Sequence, residues 1–495
     1  MRILVAGGGI AGLAAALALT GKGRTVEVIE RDPPPPEGGP NEIFEKWDRK
    51  GATQLRQSHA FHARIVQFIR THHPELRQRL LNAGVYELKF ADVLSPTQRR
   101  KYRPKPIDAE WGALTSRRST LEAIMRAYAE ERSGAIFHSG YKVRGIVCVP
   151  GRRRIATAKA FKVETPSGAE EIWEGDVLID ASGRNSSIVD WLEQYGVKPD
   201  MDEAPAGIIY CTRNYRVHPG QIQPSVSNGI VGGDFGFIRG ALFPADIGNF
   251  SITISLPEIE TKLIQAILSP DVFDNFARKM PGFADWLDPA RSFATSKVYS
   301  IGNLKSVWRY WVKNDRPLIL NFFAIGDSTT RTNPLYGRGC SLAMVHARVL
   351  ADVLSRTKHP VARARRFDKK VYKELRPFYD AMVGQDQAAI KRAASAQNPD
   401  IKLSFREKVA KSFAEDAVMP AMRGSVTFMR AFMRSGHMLE PPNAWLKKPG
   451  VIAIILATWA TPRRFKKHLY FAQGKLRRSE LLAIVDEASR TQKAA

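Results

Sequence analysis

The stretch "RILVAGGGIAGLAAALALTGKGRTVEVIE", residues 2–30, decides the fold. Residues 2–6 form a short apolar run that suits a buried parallel strand. Gly7, Gly9 and Gly12 then complete a G-x-G-x-x-G pattern. In that pattern Gly7 allows the tight turn, Gly9 lets the backbone approach a pyrophosphate, and Gly12 lets the helix pack on the strand. Ile10 and Ala11 open that helix, whose free N–H groups and positive dipole end face the phosphates. A second strand, "TVEVIE", ends at Glu30, 18 residues after Gly12, where an acid would bind ribose hydroxyls, with Arg31 beside it. Strand, glycines, helix, strand and acid in that order predict a Rossmann-like α/β dinucleotide-binding domain.

Three further segments choose the dinucleotide. Residues 321–354 run from a hydrophobic strand into Gly326-Asp327, then a loop with Pro334, Tyr336, Gly337 and Gly339, then a helix. Residues 175–197 hold Asp180, Gly183, Arg184 and Ser186 between a strand and a helix. Residues 116–126 carry R-x-x-L, Arg118 to Leu121, with Arg117 as the competing arginine. Together these resemble the three conserved segments that follow the glycine motif in flavoprotein monooxygenases of the para-hydroxybenzoate hydroxylase type. The resemblance implies FAD as cofactor, Asp327 on a ribityl hydroxyl, and Arg118 reaching the FAD. It also implies a helix N-terminus at the flavin, where reduced flavin carries negative charge.

Residues 51–88 resemble the polyene epoxidases of polyether biosynthesis, through Gly51, Gln54, His59, Pro74, Leu76 and Ala83-Gly84. The chain departs from that branch at Arg338 and Cys340, and in the long insert "PPPPEGGPNEIFEKWDRK", residues 33–50. Those departures bear on the substrate entrance and not on the cofactor. Flavin-dependent halogenases carry W-x-W-x-I-P and an added lysine; here Trp308 and Trp311 stand three apart with no I-P following.

The resemblance implies that reduced FAD reacts with dioxygen and that a flavin C4a-hydroperoxide passes one oxygen to a lipophilic alkene or aromatic ring. An FAD-dependent isoprenoid reductase or lycopene-type cyclase is the alternative. The near-flavin candidates are His59, Pro334 and Tyr336, with Phe235 and Phe237 on the sheet above. No second glycine motif offers a resident NAD(P)H site, so NAD(P)H visits briefly or a partner flavin reductase supplies electrons.

The 495 residues divide, on this reading, into a discontinuous FAD domain at 1–200 and 296–360, a β-sheet substrate domain at 201–295, and a basic helical region at 361–495. Alternating apolar runs at 207–217, 228–245 and 249–257 predict an antiparallel sheet over the flavin. Cys148, Cys211 and Cys340 lack disulfide or metal spacing, and His62, His72 and His73 lack a partner carboxylate, so no metal is assigned. The N-terminus reads as a βα unit and not as a secretion leader, which points to a cytoplasmic protein.

The net charge is +26, and residues 361–495 hold 27 Lys+Arg against 12 Asp+Glu. Such a field favours an anionic partner surface. No nucleic-acid-binding motif is visible, so an anionic membrane surface is the partner to consider. The apolar run at 450–461 is too short to span a bilayer and is flanked by basic residues. It suits either a buried helix or a contact at the membrane interface.

Overall fold

The computed structural model describes residues 1–495 except 22, 151–154, 225–231, 235–237, 281, 399–403, 471–477 and 495. Phe235 and Phe237 lie outside the described residues.

A five-stranded parallel sheet is built from Phe322–Ala324, Val177–Asp180, Arg2–Ala6, Thr25–Glu30 and Ile136–Ser139, in that spatial order. Arg2–Ala6 takes the centre because it is buried on both faces, with Ile3 between Val26 and Val177. The chain leaves it first toward Thr25–Glu30 and later returns to its other side. The strand order therefore reverses there, and a ligand crevice opens at the carboxyl ends. The helix Ile10–Leu19 packs on this sheet and against the long helix Gly339–Arg356. Leu13 and Leu19 are fully buried, each stabilising by ~1.5–3 kcal/mol.

A second, antiparallel sheet orders Gly232–Asp234, Arg239–Pro244, Asn249–Pro257, Ile208–Val217 and Ser292–Ala294, with Tyr299–Ile301 also on Ile208–Val217. Its alternation is visible along Asn249–Pro257. Phe250, Ile252, Ile254 and Leu256 join the core under the helices Thr261–Ile267 and Pro270–Lys279. Thr253 and Ser255 face the opposite side, toward the crevice.

The segment after 360 does not form a separate body. The helix Pro360–Gln397 joins the core of the parallel-sheet domain through Phe367, Val371, Leu375 and Met382. Residues Leu481, Ile484 and Val485 of the helix Arg478–Ala494 join the core beneath the antiparallel sheet. Between them, the helices Met419–Gly424, Val426–Gly436 and Pro449–Ala460 make a small core of their own. No helix among the described residues is long and apolar enough to cross a membrane.

Candidate active site

One cavity of about 890 Å³ runs from Glu30 to the antiparallel sheet. At one end it is floored by the glycine turn. Gly7 has φ +104°, and a Cβ there would lie 2.7 Å from the carbonyl oxygen of Ala181. Gly8 N–H donates to Glu30 Oε2 at 2.7 Å, and Asp32 N–H donates to Glu30 Oε1 at 2.9 Å. The carboxylate thus fastens the turn and also lines the cavity, as do Gly9, Ile10, Ala11 and Arg31. Gly9 caps the helix Ile10–Leu19 without a side-chain hydrogen bond, leaving its first N–H groups for a ligand. Gly12 lies outside the cavity wall, and a Cβ on it would sit 1.9 Å from Gly7 O.

Two arginines face Gly9 across a gap. A Cβ on Gly9 would be 3.7 Å from Arg118 Nη2 and 3.9 Å from Arg49 Nη2. Both are held by Glu122, which is fully buried: Arg118 Nε donates to Oε1 at 2.5 Å, and Arg49 Nη1 stands 3.3 Å from Oε2. Arg49 also approaches Asp32 at 3.3 Å and Glu30 at 3.4 Å. Burial opposes charge on Glu122, but the two guanidiniums hold its carboxyl below the usual range. Arg117, by contrast, is bound to Asp246 and to Asn41, away from the cavity. Of the two neighbouring arginines, Arg118 is the one at the glycine turn.

The insert at 33–50 carries Arg49, which lines the cavity beside the glycine turn. Asp180 does not line the cavity. It is fully buried and accepts bonds from Ser182 N–H at 3.0 Å, Ser182 Oγ at 2.6 Å and Ser186 Oγ at 2.7 Å. It shapes the loop whose Ala181, Ser182 and Arg184 do reach the cavity. Arg184 Nε is buried there without a hydrogen-bond partner.

Further along, a Cβ on Gly326 (φ +63°) would lie 2.8 Å from Ala11 Cβ, so the turn that carries Asp327 runs close to the glycine helix. Burial pushes the Asp327 carboxyl up, and Arg184, Arg118 and Arg331 pull it back. A Cβ on Gly339, the first residue of the helix Gly339–Arg356, would be 3.8 Å from Asp327 Oδ1. The helix has no side-chain cap, so a second open helix N-terminus meets the cavity.

The Pro334–Tyr336 turn is fixed by Asn333, whose Oδ1 accepts from Leu335 N–H at 3.0 Å and from the Tyr210 hydroxyl. Asn333 Nδ2 and the Tyr336 hydroxyl both donate to Asp386 Oδ1, at 2.8 and 3.0 Å. Burial lifts the Asp386 carboxyl to about 6. His59 lines the cavity with Nδ1 2.9 Å from Gln57 O. A carbonyl only accepts, so Nδ1 carries the proton and Nε2 is an acceptor. Burial, reinforced by Arg118, lowers its pKa to about 4, so the ring is neutral at neutral pH.

Above this turn stand Ala241, Phe243, Thr253 and Ser255 of the antiparallel sheet, with Met422, Arg423 and Met429 closing one side. Thr253 Oγ1 donates to Ser58 Oγ, another lining residue, at 2.7 Å and shares a hydrogen bond with Thr212 at 2.7 Å. Cys340 also lines the cavity, its thiol pushed up to about 11 by burial, so it is no thiolate. Trp308 and Trp311 lie outside the cavity, packed against Tyr379 and Phe322. Among the described residues no three His, Cys, Asp or Glu side chains cluster to hold a metal.

The donor set fits FAD. Two open helix ends, two buried arginines, an orphaned guanidinium N–H on Arg184 and the Glu30 and Asp327 carboxylates succeed one another along one trough. Sequence reading passes over Arg49, Glu122 and Asp386. Arg118 and Glu122 stand four apart on one helix face, which is the signal that was available.

The FAD binding domain family matches residues 2–36. Protein Rv3254 of Mycobacterium tuberculosis is 27% identical over 368 residues, covering 70% of this chain and 71% of its own length. The flavin-dependent brominase Bmp2 superposes with a TM-score of 0.57 at 16% identity, over 83% of this chain and 93% of its own. The oxygenase of 2-methyl-3-hydroxypyridine-5-carboxylic acid gives 0.53 at 16% identity, over 79% and 92%. The chain shares the fold of flavin-dependent monooxygenases and halogenases of known structure.

Proposed function

We propose that this chain is an FAD-dependent monooxygenase that inserts one oxygen atom from dioxygen into a lipophilic alkene or aromatic substrate. The observation that carries this reading is the form of the cavity. One trough joins the dinucleotide half to a chamber between the Pro334–Tyr336 turn and the antiparallel sheet, so a substrate there meets the inner end of the cofactor.

FAD, when bound, supplies the oxygen activation. The chain's residues bind, orient and exclude water. The chamber walls bring together Val93, Phe243, Leu335, Met422 and Met429, which suit an apolar substrate, with Thr253 and Ser255 as polar anchors. Neutral His59 offers Nε2 as an acceptor without adding charge. Among the described lining residues no hydroxyl or thiol is hydrogen-bonded to a histidine.

Oxygenation is favoured over halogenation by the lysines. Among the described residues Lys142 is the lysine lining the cavity, and it is tied to Glu164 at 2.8 Å. The chamber under the antiparallel sheet thus presents no amine among the described lining residues. Electrons come from NAD(P)H or from a partner flavin reductase.

The test is to reduce the FAD-loaded protein, admit dioxygen, and supply lipophilic alkenes and phenols. A product one oxygen heavier supports the reading. Isoprenoid reduction or cyclisation under strictly anaerobic conditions would replace it with the reductase or cyclase alternative.

A further inference from the structure

The helix Pro449–Ala460 has the sequence PGVIAIILATWA. Val451 and Ile455 are buried against Ala421, Phe428 and Trp445. The opposite face is exposed at Pro449, Ile452, Ala453, Leu456, Ala457 and Ala460, with Trp459 beside it. These positions repeat at helical spacing, so they form one continuous stripe without a polar side chain. Ile452 is 38% exposed, Leu456 50% and Trp459 38%. Leu446 and Phe465 extend the apolar surface beyond either end, at 42% and 63% exposed.

An outward helix face in water is ordinarily polar, and a contiguous apolar face marks an interaction site. The rim here is basic. Lys447 is exposed just before the helix, and Arg463, Arg464 and Lys467 are exposed just after it. The Arg464 guanidinium lies 4.7 Å over the ring of Phe465. Asp416 answers Arg463 at 2.7 Å, and Glu440 answers Lys448 at 2.8 Å, but the rim and the chain as a whole stay cationic. Twelve helical residues extend about 18 Å, too short to cross a bilayer yet long enough to lie in its interface.

We propose that this helix docks the protein on an anionic phospholipid surface, with Ile452, Leu456 and Trp459 among the acyl chains and the flanking cations on phosphate headgroups. The occupant follows from the pairing of an apolar stripe with a basic rim, which a lipid interface matches in both respects. The location adds a route. The helix Met419–Gly424 packs on the inner side of the docking helix through Ala421 and carries Met422 and Arg423 to the cavity wall. A lipophilic molecule leaving the bilayer here has one layer of structure between it and the cavity. That route rests on the function proposed above, whereas the docking itself does not.

The test is flotation of the FAD-loaded full-length protein with vesicles of phosphatidylcholine alone or with phosphatidylglycerol added. The protein floats with the anionic vesicles, less so in high salt and with neutral vesicles. The triple variant Ile452→Ser, Leu456→Ser, Trp459→Ser loses vesicle partition by at least about tenfold. Arg464→Glu with Lys467→Glu weakens anionic binding only. Bound flavin and unfolding temperature, unchanged in both variants, show that the fold survives.

Quenching by brominated lipid, present in the wild type and reduced in Trp459→Phe, locates the contact even if the triple variant misfolds. Wild-type protein that stays with the buffer overturns the proposal. So does equal flotation of wild type and triple variant, or a dimer that forms through this face and ignores vesicles. Oxygen transfer failing while flotation persists would refute the oxygenase reading and leave the docking intact.

Discussion

Two glycines of one motif are expected to fail in different ways when each gains a methyl group. Gly9 has φ −76° and ψ −169°, a conformation open to alanine. Its new Cβ would meet nothing closer than Arg118 Nη2 at 3.7 Å, an ordinary contact. The unliganded Gly9→Ala protein should therefore keep its stability to within ~0.5 kcal/mol. The methyl group, however, fills the gap between the helix N-terminus and the two arginines. A diphosphate held off by it loses one charge-assisted hydrogen bond, ~1.5–3 kcal/mol. FAD affinity should then fall roughly 10- to 150-fold.

In Gly12→Ala the Cβ would stand 1.9 Å from Gly7 O, so the βα unit itself must rearrange and the protein should not fold normally. Fluorescence titration of apoprotein with FAD, alongside thermal unfolding, separates the two. Wild-type FAD affinity in Gly9→Ala would refute the placement of the diphosphate at this turn.

Glu122→Gln leaves two buried guanidiniums short of a counter-charge and should cost about 3–5 kcal/mol, read as a lower unfolding temperature; an unchanged temperature would show that Glu122 does not hold Arg118 and Arg49. Acid should destabilise the fold through His59 and His437, which burial holds at about 4 and about 3 against 6.5 when unfolded. Their depressed values mean that the unfolded chain takes up protons first, so stability is complete above pH ~6.5 and declines as pH falls toward 4. His437→Gln, which can still accept the Ala63 N–H bond, should flatten that decline, and an equally steep one would exclude His437 as a cause. Asp386→Asn should abolish a change in the bound-flavin spectrum centred near pH 6, since the Asp386 carboxyl titrates there while holding Tyr336; a transition surviving in the variant would place its origin elsewhere.

The two central strands Arg2–Ala6 and Thr25–Glu30 and the glycine turn between them are legible because every part of their signal lies within residues 2–30, where spacing in sequence is spacing in space. The antiparallel sheet was legible from alternation, as in Asn249–Pro257. Arg49 was not legible, because it reaches the site from an irregular segment after the helix Pro40–Lys46 and meets Glu122 only across the fold. Asp386 was hidden for the same reason, since it sits in the middle of a 38-residue helix and meets Asn333 only by packing. Asp180 was placed on the correct strand end, but its carboxylate is consumed by Ser182 and Ser186. The short apolar run at 450–461 forms one helix, buried at Val451 and Ile455 and exposed at Ile452 and Leu456, a split that its unbroken apolar composition hides.

The most direct test of oxygen transfer is the fate of isotopically heavy dioxygen. The FAD-loaded protein is reduced without air, mixed with a lipophilic extract or a panel of alkenes and phenols, and exposed to labelled dioxygen. Mass spectrometry should find a product carrying a single heavy oxygen atom, absent with the Gly9→Ala variant at limiting FAD. A product whose new oxygen comes from water, or one that forms equally well without dioxygen, would contradict the account.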